Sequence, residues 1–547
     1  MHKKVKHAAS TVLTCLFAFS LLLSGCSGDN KAAENSSEDT GDGTVTFSVF
    51  MDGPGQQAPA DNKIYKLIKE KTGVSFNMEY LVGDLQQKLG VMIAGSDYPD
   101  IISGNDKLIN AGAFIPLEDL VEKYAPNLKK HYAEVWNQMK DPKTGHIYVL
   151  PSYGVYHNKV SEPTYQGPGF YLQKAVLKEM GYPTPKTLDE YFDIIAQYKA
   201  KHPDMIGFET LNFDWRVFPL QNPPEHLSGH PNDGGVIVDN NKAQIFADKD
   251  ISKMYFKKLN EVNAQGLLDK EAFVQNYDQY LAKIASGKVI GMFDQHWNFQ
   301  DAETSLISQG KIENTYIGFP LVYDGVEEYY RDKGALNLNR GLGISINAKD
   351  PERIIKFLDT MITEDWQKTL QWGIKDEDYK VKEDGKFYRT PEQRQNADST
   401  TWRLSNKAET FFGYMPKIQG TYSDGNAADP GTQPQEFFDS LKPYDQEILK
   451  AYNRKTWSEF FKEPPPNPVY FPVYTITLPD GSAAQLTSTK LNDLQVKYLP
   501  KVIMANPSSF DSEWDEYVSQ IHKLDIKAYE DFINEQIQWR IDNWSNK

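Results

Sequence analysis

Two short segments set flat aromatic rings beside polar and charged groups: NFDWRVF, residues 212–218, and FDQHWNF, residues 293–299. That mixture suits a sugar, whose apolar C–H faces stack on rings while its hydroxyl edges need Asp, Asn, Arg or Gln partners. Trp215 and Trp297 are the candidate platforms, and Asp214 and Arg216 the candidate hydroxyl partners. Tryptophan also packs in cores, so either ring serves as a platform or as core filling. Tyr153, Phe170, Trp372 and Trp402 are further ring candidates. Arg340 either reaches a cleft or pairs with a surface acid. Asp52, in FMDGPG, either takes a hydroxyl or simply forms a turn.

Other chemistries find less support. His226 and His230 have the spacing of metal ligands on a helix, but Pro223, Pro224, Gly229 and Pro231 around them predict a surface loop, and no third ligand is evident. The acidic run Lys375 to Lys386 lacks the alternation of a calcium loop. No GxSxG, HExxH or Walker pattern occurs, so no catalytic residue, metal or cofactor is expected. A carboxylate pair in a sugar-cleaving enzyme leaves no local signature, which keeps Asp294, Asp214 and Asp106 open as acids of a surface glycoside hydrolase or lyase.

The chain has 547 residues and a formal charge of −16, and no basic run interrupts the acidic balance, which argues against nucleic acid and anionic partners. Its start carries Lys3, Lys4 and Lys6 before an apolar run from Thr11 to Leu23, too short to span a bilayer and predicted to be a signal peptide over residues 1–25. Leu23-Ser24-Gly25-Cys26 resembles a bacterial lipobox, which implies lipidation at Cys26 and anchoring on the extracytoplasmic face of the cell membrane. Residues 26–43, rich in Ser, Gly, Asp, Glu and Asn, read as a flexible tether. The two cysteines are Cys15 and Cys26, so the body after them holds no thiol for a disulfide, a zinc site or a nucleophile.

The elements that must position the candidate residues follow a βα pattern. Thr44 to Met51 alternates and reads as a strand, Lys63 to Lys71 as an amphipathic helix, Val74 to Tyr80 as a second strand. A helix over Leu85 to Ala94 and a short strand at Asp100 to Ser103 complete the series. Such alternation predicts an α/β body whose ligands bind at the carboxyl ends of parallel strands. The proline run Pro464 to Pro468 and a strand-turn-strand pattern over Val473 to Thr487 predict a surface addition.

LGVMIAGSDYPDIISGND (Leu89 to Asp106) resembles the helix-turn-strand signature of family 1 extracellular solute-binding proteins, the class containing maltose-binding protein. In order along the chain, GHIYVLPSYGVYHNK, PKTLDEYFDIIAQYK, KIASGKVIGMFDQHWNFQDA and RGLGISINAKDPERIIKFLDTMITED resemble its later segments. The resemblance runs from Thr44 to about Asp365, and the rest looks like the longer lipoprotein subgroup that serves importers of plant-polysaccharide fragments. It implies a periplasmic-binding-protein-like fold of two α/β lobes joined by a hinge (type II), with extra C-terminal helices. Lobe one is expected over 44–157 and 338–410, and lobe two with the C-terminal helices over 158–337 and 411–547. Hinges are expected near Tyr156 to Ser161 and Asn337 to Arg340. The resemblance further implies an oligosaccharide ligand, permease subunits of an ABC transporter as partners, and a monomer. It places Trp297 at a sugar-stacking position and Asp106 at a hydroxyl-binding one, although the aromatic and Arg beside that acid are absent here. A binding lipoprotein for a peptide or for a sensor kinase would share the same fold.

Overall fold

The computed structural model describes residues 43–53, 55–158, 162–338 and 340–545. The leader, Cys26 and the tether as far as Asp42 lie outside the described residues, as do Lys159, Val160, Ser161 and Asn339 of the expected hinges.

Alternating β-branched and aromatic residues give the strand Val45–Met51, paired in parallel with Val74–Tyr80 from Val45 opposite Val74 to Met51 opposite Tyr80. The helix between them starts at Asn62, whose Oδ1 accepts from the backbone N–H of Ile64 and Tyr65, both at 2.9 Å, and ends at Gly73, φ +67°. Asn62 also donates from Nδ2 to the carbonyls of Leu404 and Lys407, tying a distant segment to this helix start. The sheet runs, edge to edge, Val74–Tyr80, Val45–Met51, Ile101–Ser103, Gly341–Ile344, Leu150–Pro151, the last two antiparallel to their neighbours. Phe47, Val49, Ile64, Ile101, Leu342 and Ile355 centre its core.

A second sheet is ordered Tyr316–Phe319, Pro168–Gln173, Val289–Gln295, Ile206–Glu209, with only the last pair parallel. All six residues of Pro168–Gln173 are buried. Three helices near the C-terminus, Ala483–Met504, Phe510–Ile521 and Ile526–Trp544, pack Leu499, Val502, Trp514, Tyr517 and Ile533 onto this core. Asn260 Nδ2 closes the first of them by donating to the carbonyls of Val502, Ile503 and Ala505. Asn534 bonds both backbone groups of Ala243, at 2.7 and 3.1 Å, and so joins the last helix to a small hairpin.

The chain leaves the first sheet after Pro151 and returns to it at Gly341, and the two passages touch there: Ser152 donates its N–H to Arg340 O at 2.8 Å, and Asn337 to Tyr153 O at 3.3 Å. Gly154, φ +98°, is required where they touch, because a Cβ there would lie 2.5 Å from Leu336 Cα. The third crossing falls later than expected. Phe411, Met415, Ile418 and Tyr422 belong to the first core, so residues 411–428 are not part of the second lobe. Helix Pro434–Ser440 makes the passage: Glu436 pairs with Arg394 of the first lobe at 2.7 Å, while Phe438 packs on the second core. The last helix also reaches back, Asn137 Nδ2 donating to Ser545 O at 3.4 Å.

Two local expectations need correction. Val473 to Thr487 contains no strand: a 3₁₀ turn, Val473–Thr475, leads to a helix capped by Ser482, which accepts from Gln485 N–H at 3.1 Å. The β-branched run carried the strand signal, and the cap outweighs it. His226 is not on a surface loop. Pro223 and Pro224 open the short helix Pro223–Leu227, where proline is tolerated, and His226 is fully buried between Phe293 and Tyr330. Burial lowers its imidazole to about 3.

Candidate functional site

The strand Val289–Gln295 runs through the second sheet and turns at Gln295 into the helix His296–Ser308. Asp294 holds this corner from inside. Its carboxylate accepts from the Tyr280 hydroxyl at 2.6 Å, the Asn298 amide at 3.0 Å and the Gln295 N–H at 2.7 Å. Burial pushes the carboxyl up to about 7 against the pull of those donors. Fully enclosed, it faces the interior and does not serve a cleft as an acid. On the outer side, Trp297 donates Nε1–H to Gln295 Oε1 at 2.7 Å, and its backbone N–H to Gln166 O at 3.3 Å. His296 bonds Gln166 and Glu303. Pinned at both ends, the indole stays outward with 39% of its surface exposed.

Trp215 meets it there. The two indoles lie 6.1 Å apart with planes within 7°, and Phe218 stands 5.4 Å from Trp297. The loop carrying Trp215 is tightened by Asp214, at φ +56°, and by a bridge between Phe213 and Arg216. Asp214 is thus the turn residue, exposed and outside the aromatic group. Arg216 is drawn back, its guanidinium 4.3 Å from the Trp215 ring centre and 4.0 Å from that of Tyr277.

Trp215, Phe218 and Trp297 wall a cavity of about 760 Å³, a size typical of small-molecule sites. The rest of its lining includes Tyr474 and Tyr529 and polar residues of the helix Ala483–Met504. Sequence reasoning missed Phe218, Tyr474 and that helix. The signal available was a polar stripe, Ser488, Thr489, Asn492 and Gln495, recurring at helical spacing.

The other expected residues gather elsewhere or not at all. Asp52 and Arg340 share Tyr414 on the first lobe. The Tyr414 hydroxyl bonds the Asp52 carboxylate and is pushed up to about 12 by burial and that charge, and Arg340 stands 5.9 Å from its ring centre. Tyr153, 38% exposed, bonds Tyr156 across 3.3 Å at the crossings. Asp106 is an exposed first-turn residue of the helix Asp106–Asn110, where an acid complements the helix dipole. Trp402 is half-buried beneath Lys63. Phe170 and Trp372 are not site residues. Phe170 lies mid-strand in the second core, edge-on to Tyr191 and Phe293, and Trp372 is fully buried against Tyr379 and Phe387 with Nε1–H on Ala427 O at 2.9 Å.

The model of the bacterial extracellular solute-binding protein family matches residues 63–373, more than half of the chain. The chain belongs to this solute-binding family. Among curated relatives, the fructooligosaccharide ABC transporter substrate-binding protein FusA of Streptococcus pneumoniae is 27% identical over 263 residues, 44% of this chain and less than half (47%) of that relative. The polygalacturonan/rhamnogalacturonan-binding protein YtcQ of Bacillus subtilis is 24% identical over 404 residues, covering 70% of this chain and 76% of YtcQ. Among solved structures, an "HMO binding ABC-transporter associated Solute Binding Protein" from Bifidobacterium longum infantis superposes with a TM-score of 0.60 at 18% identity, over 91% of this chain and 99% of that one. The periplasmic-binding-protein-like (type II) fold of this solute-binding family member is therefore shared with proteins of very different sequence. No helix among the described residues is long and apolar enough to cross a membrane.

Proposed function

We propose that this chain captures an oligosaccharide, a fragment of a plant polysaccharide, outside the cell and passes it to the permease of an ABC importer without altering it. The observation that carries this reading is the exposed, near-parallel pair Trp215 and Trp297 at the mouth of a cavity whose polar lining matches hydroxyl groups. Relatives named for fructooligosaccharide and for polygalacturonan support it. Capture proceeds by closure: sugar seated on the second lobe meets the Asp52, Tyr414 and Arg340 group of the first, the crossings bend near residues 156–161 and 337–340, and a ligand touching both lobes favours the closed state. A diacylglyceryl group on Cys26, exposed when residues 1–25 are cleaved, holds the monomer at the membrane, and residues 27–43 keep it close to the permease.

The test is a thermal-shift and calorimetric screen of the purified chain against cell-wall oligosaccharides, with mass spectrometry of each mixture afterwards. Saturable binding with every sugar recovered intact is expected. Cleaved products would make the protein an enzyme, and binding to peptides alone would sink the sugar reading.

A further inference from the structure

The cavity beside Trp215 and Trp297 is lined by six side-chain amides, Gln221, Asn222, Asn232, Gln295, Asn492 and Gln495, and by the hydroxyls of Ser488, Thr489, Tyr474 and Tyr529. No Asp, Glu, Lys, Arg or His lines it among the described residues, in a chain whose residues are 24% charged. Charge has been kept out of this surface. We propose that the cavity selects an uncharged oligosaccharide and rejects uronic-acid polymers. This rests on the capture reading and narrows it to one of the two chemistries that its relatives' names span.

The physical case is one of matching. An amide offers a donor and an acceptor side by side, and so does a sugar hydroxyl, whereas a carboxylate only accepts and carries a charge. A carboxylate entering this cavity would lose its water without gaining a cation from the cavity's own lining. Two cations on elements that line the cavity, Arg216 and Arg540, are already engaged. Arg216 is covered by Trp215 and Tyr277, and Arg540 is spent on the carbonyls of Tyr470 and Pro472 at 2.8 and 2.7 Å and on Thr475 Oγ1 at 2.9 Å. What the Tyr474 hydroxyl does feel is Asp332 and Asp233, whose carboxyls burial pushes up to about 7 and about 6. Neither can supply an incoming anion with a positive charge. Ser488, Thr489, Asn492 and Gln495 all come from the helix Ala483–Met504, beyond residue 373 where the family match ends, so the selecting wall belongs to the part of the chain that the family pattern does not describe.

The test is calorimetric titration of the full chain with two matched panels: neutral gluco-, xylo-, manno-, galacto-, arabino- and fructo-oligosaccharides, and oligogalacturonides and alginate oligomers of equal length. At least one neutral sugar is expected to bind, with Kd unchanged within about twofold between about 20 and about 500 mM NaCl, since no ion pair is made. Uronides are expected to bind at least about 100-fold more weakly. Asn492→Lys, which places an ammonium in the wall, is expected to weaken the neutral ligand and strengthen uronide binding about tenfold or more; Gln495→Lys makes the same test should the first variant fail to fold. A uronide that binds as tightly as the best neutral sugar overturns the selection and leaves sugar capture standing. Silence towards both panels overturns the two together.

Discussion

Removal of the Trp297 indole offers the sharpest test of the platform. A tryptophan presents up to about 250 Å² of surface, and 39% of it is exposed, so a sugar ring that covered it would withdraw about 100 Å² from water. At about 25 cal/mol per Å² this is about 2.4 kcal/mol, roughly 50-fold in Kd, as an upper bound. Because Trp215 and Phe218 remain, Trp297→Ala should weaken binding towards that limit without abolishing it. Fold integrity is checked in the same samples: the indole's one side-chain bond is to Gln295, two residues away, so unfolding should move by much less than for a core tryptophan. Calorimetry of wild type and variant against whichever sugar binds best gives the ratio directly. A variant whose Kd stays within twofold, while its thermal unfolding matches wild type, would refute stacking on Trp297. A double variant with Trp215→Ala should be non-additive, since the two rings touch the same ligand.

Trp372→Ala, by contrast, should cost about 3–5 kcal/mol in urea unfolding and leave sugar affinity unchanged, because its ring is fully buried. Asp294→Asn should alter the pH dependence of stability. The folded carboxyl, near 7, lies above its unfolded value near 3.8, so the folded state holds the proton more tightly and wild type loses stability as pH rises from about 4 to about 7. The variant lacks that loss, so the gap between their unfolding midpoints should shift in its favour across that window; parallel profiles would contradict it. Gly154→Ala drives a Cβ into Leu336 and should separate the two crossings, which small-angle scattering reads as a reduced compaction on ligand addition. Tyr474→Ala should weaken sugar binding without changing the unfolding midpoint, since 55% of that residue is exposed.

The first lobe was readily legible because its signals are local. Period-two alternation in Val45–Met51 and the strand pattern of Val74–Tyr80 place strands within a residue of expectation, and Asn62 and Gly73 bound the helix between them. Trp215 and Trp297 were legible as a pair of motifs. Their meeting was not, since 82 residues separate them and only the second sheet brings them together. Phe170 shows the converse failure: a ring beside Gly169 looks available, yet a strand with neighbours on both edges buries every residue. The C-terminal wall escaped because its Ser, Thr and Asn residues have weak helix propensity, and what fixes the helix is packing of Leu491, Leu499 and Val502 on a core built some 200 residues earlier.

The contact between Asn137 and Ser545 joins the last helix of one lobe to a short turn of the other, and the body between the tether and that helix holds no cysteine. In a body that begins after Cys26, Asn137→Cys and Ser545→Cys therefore give two uniquely addressable positions astride the junction. Labelled with a donor and an acceptor dye, the protein becomes its own gauge of lobe movement, able to report a sugar in solution before any transporter is present.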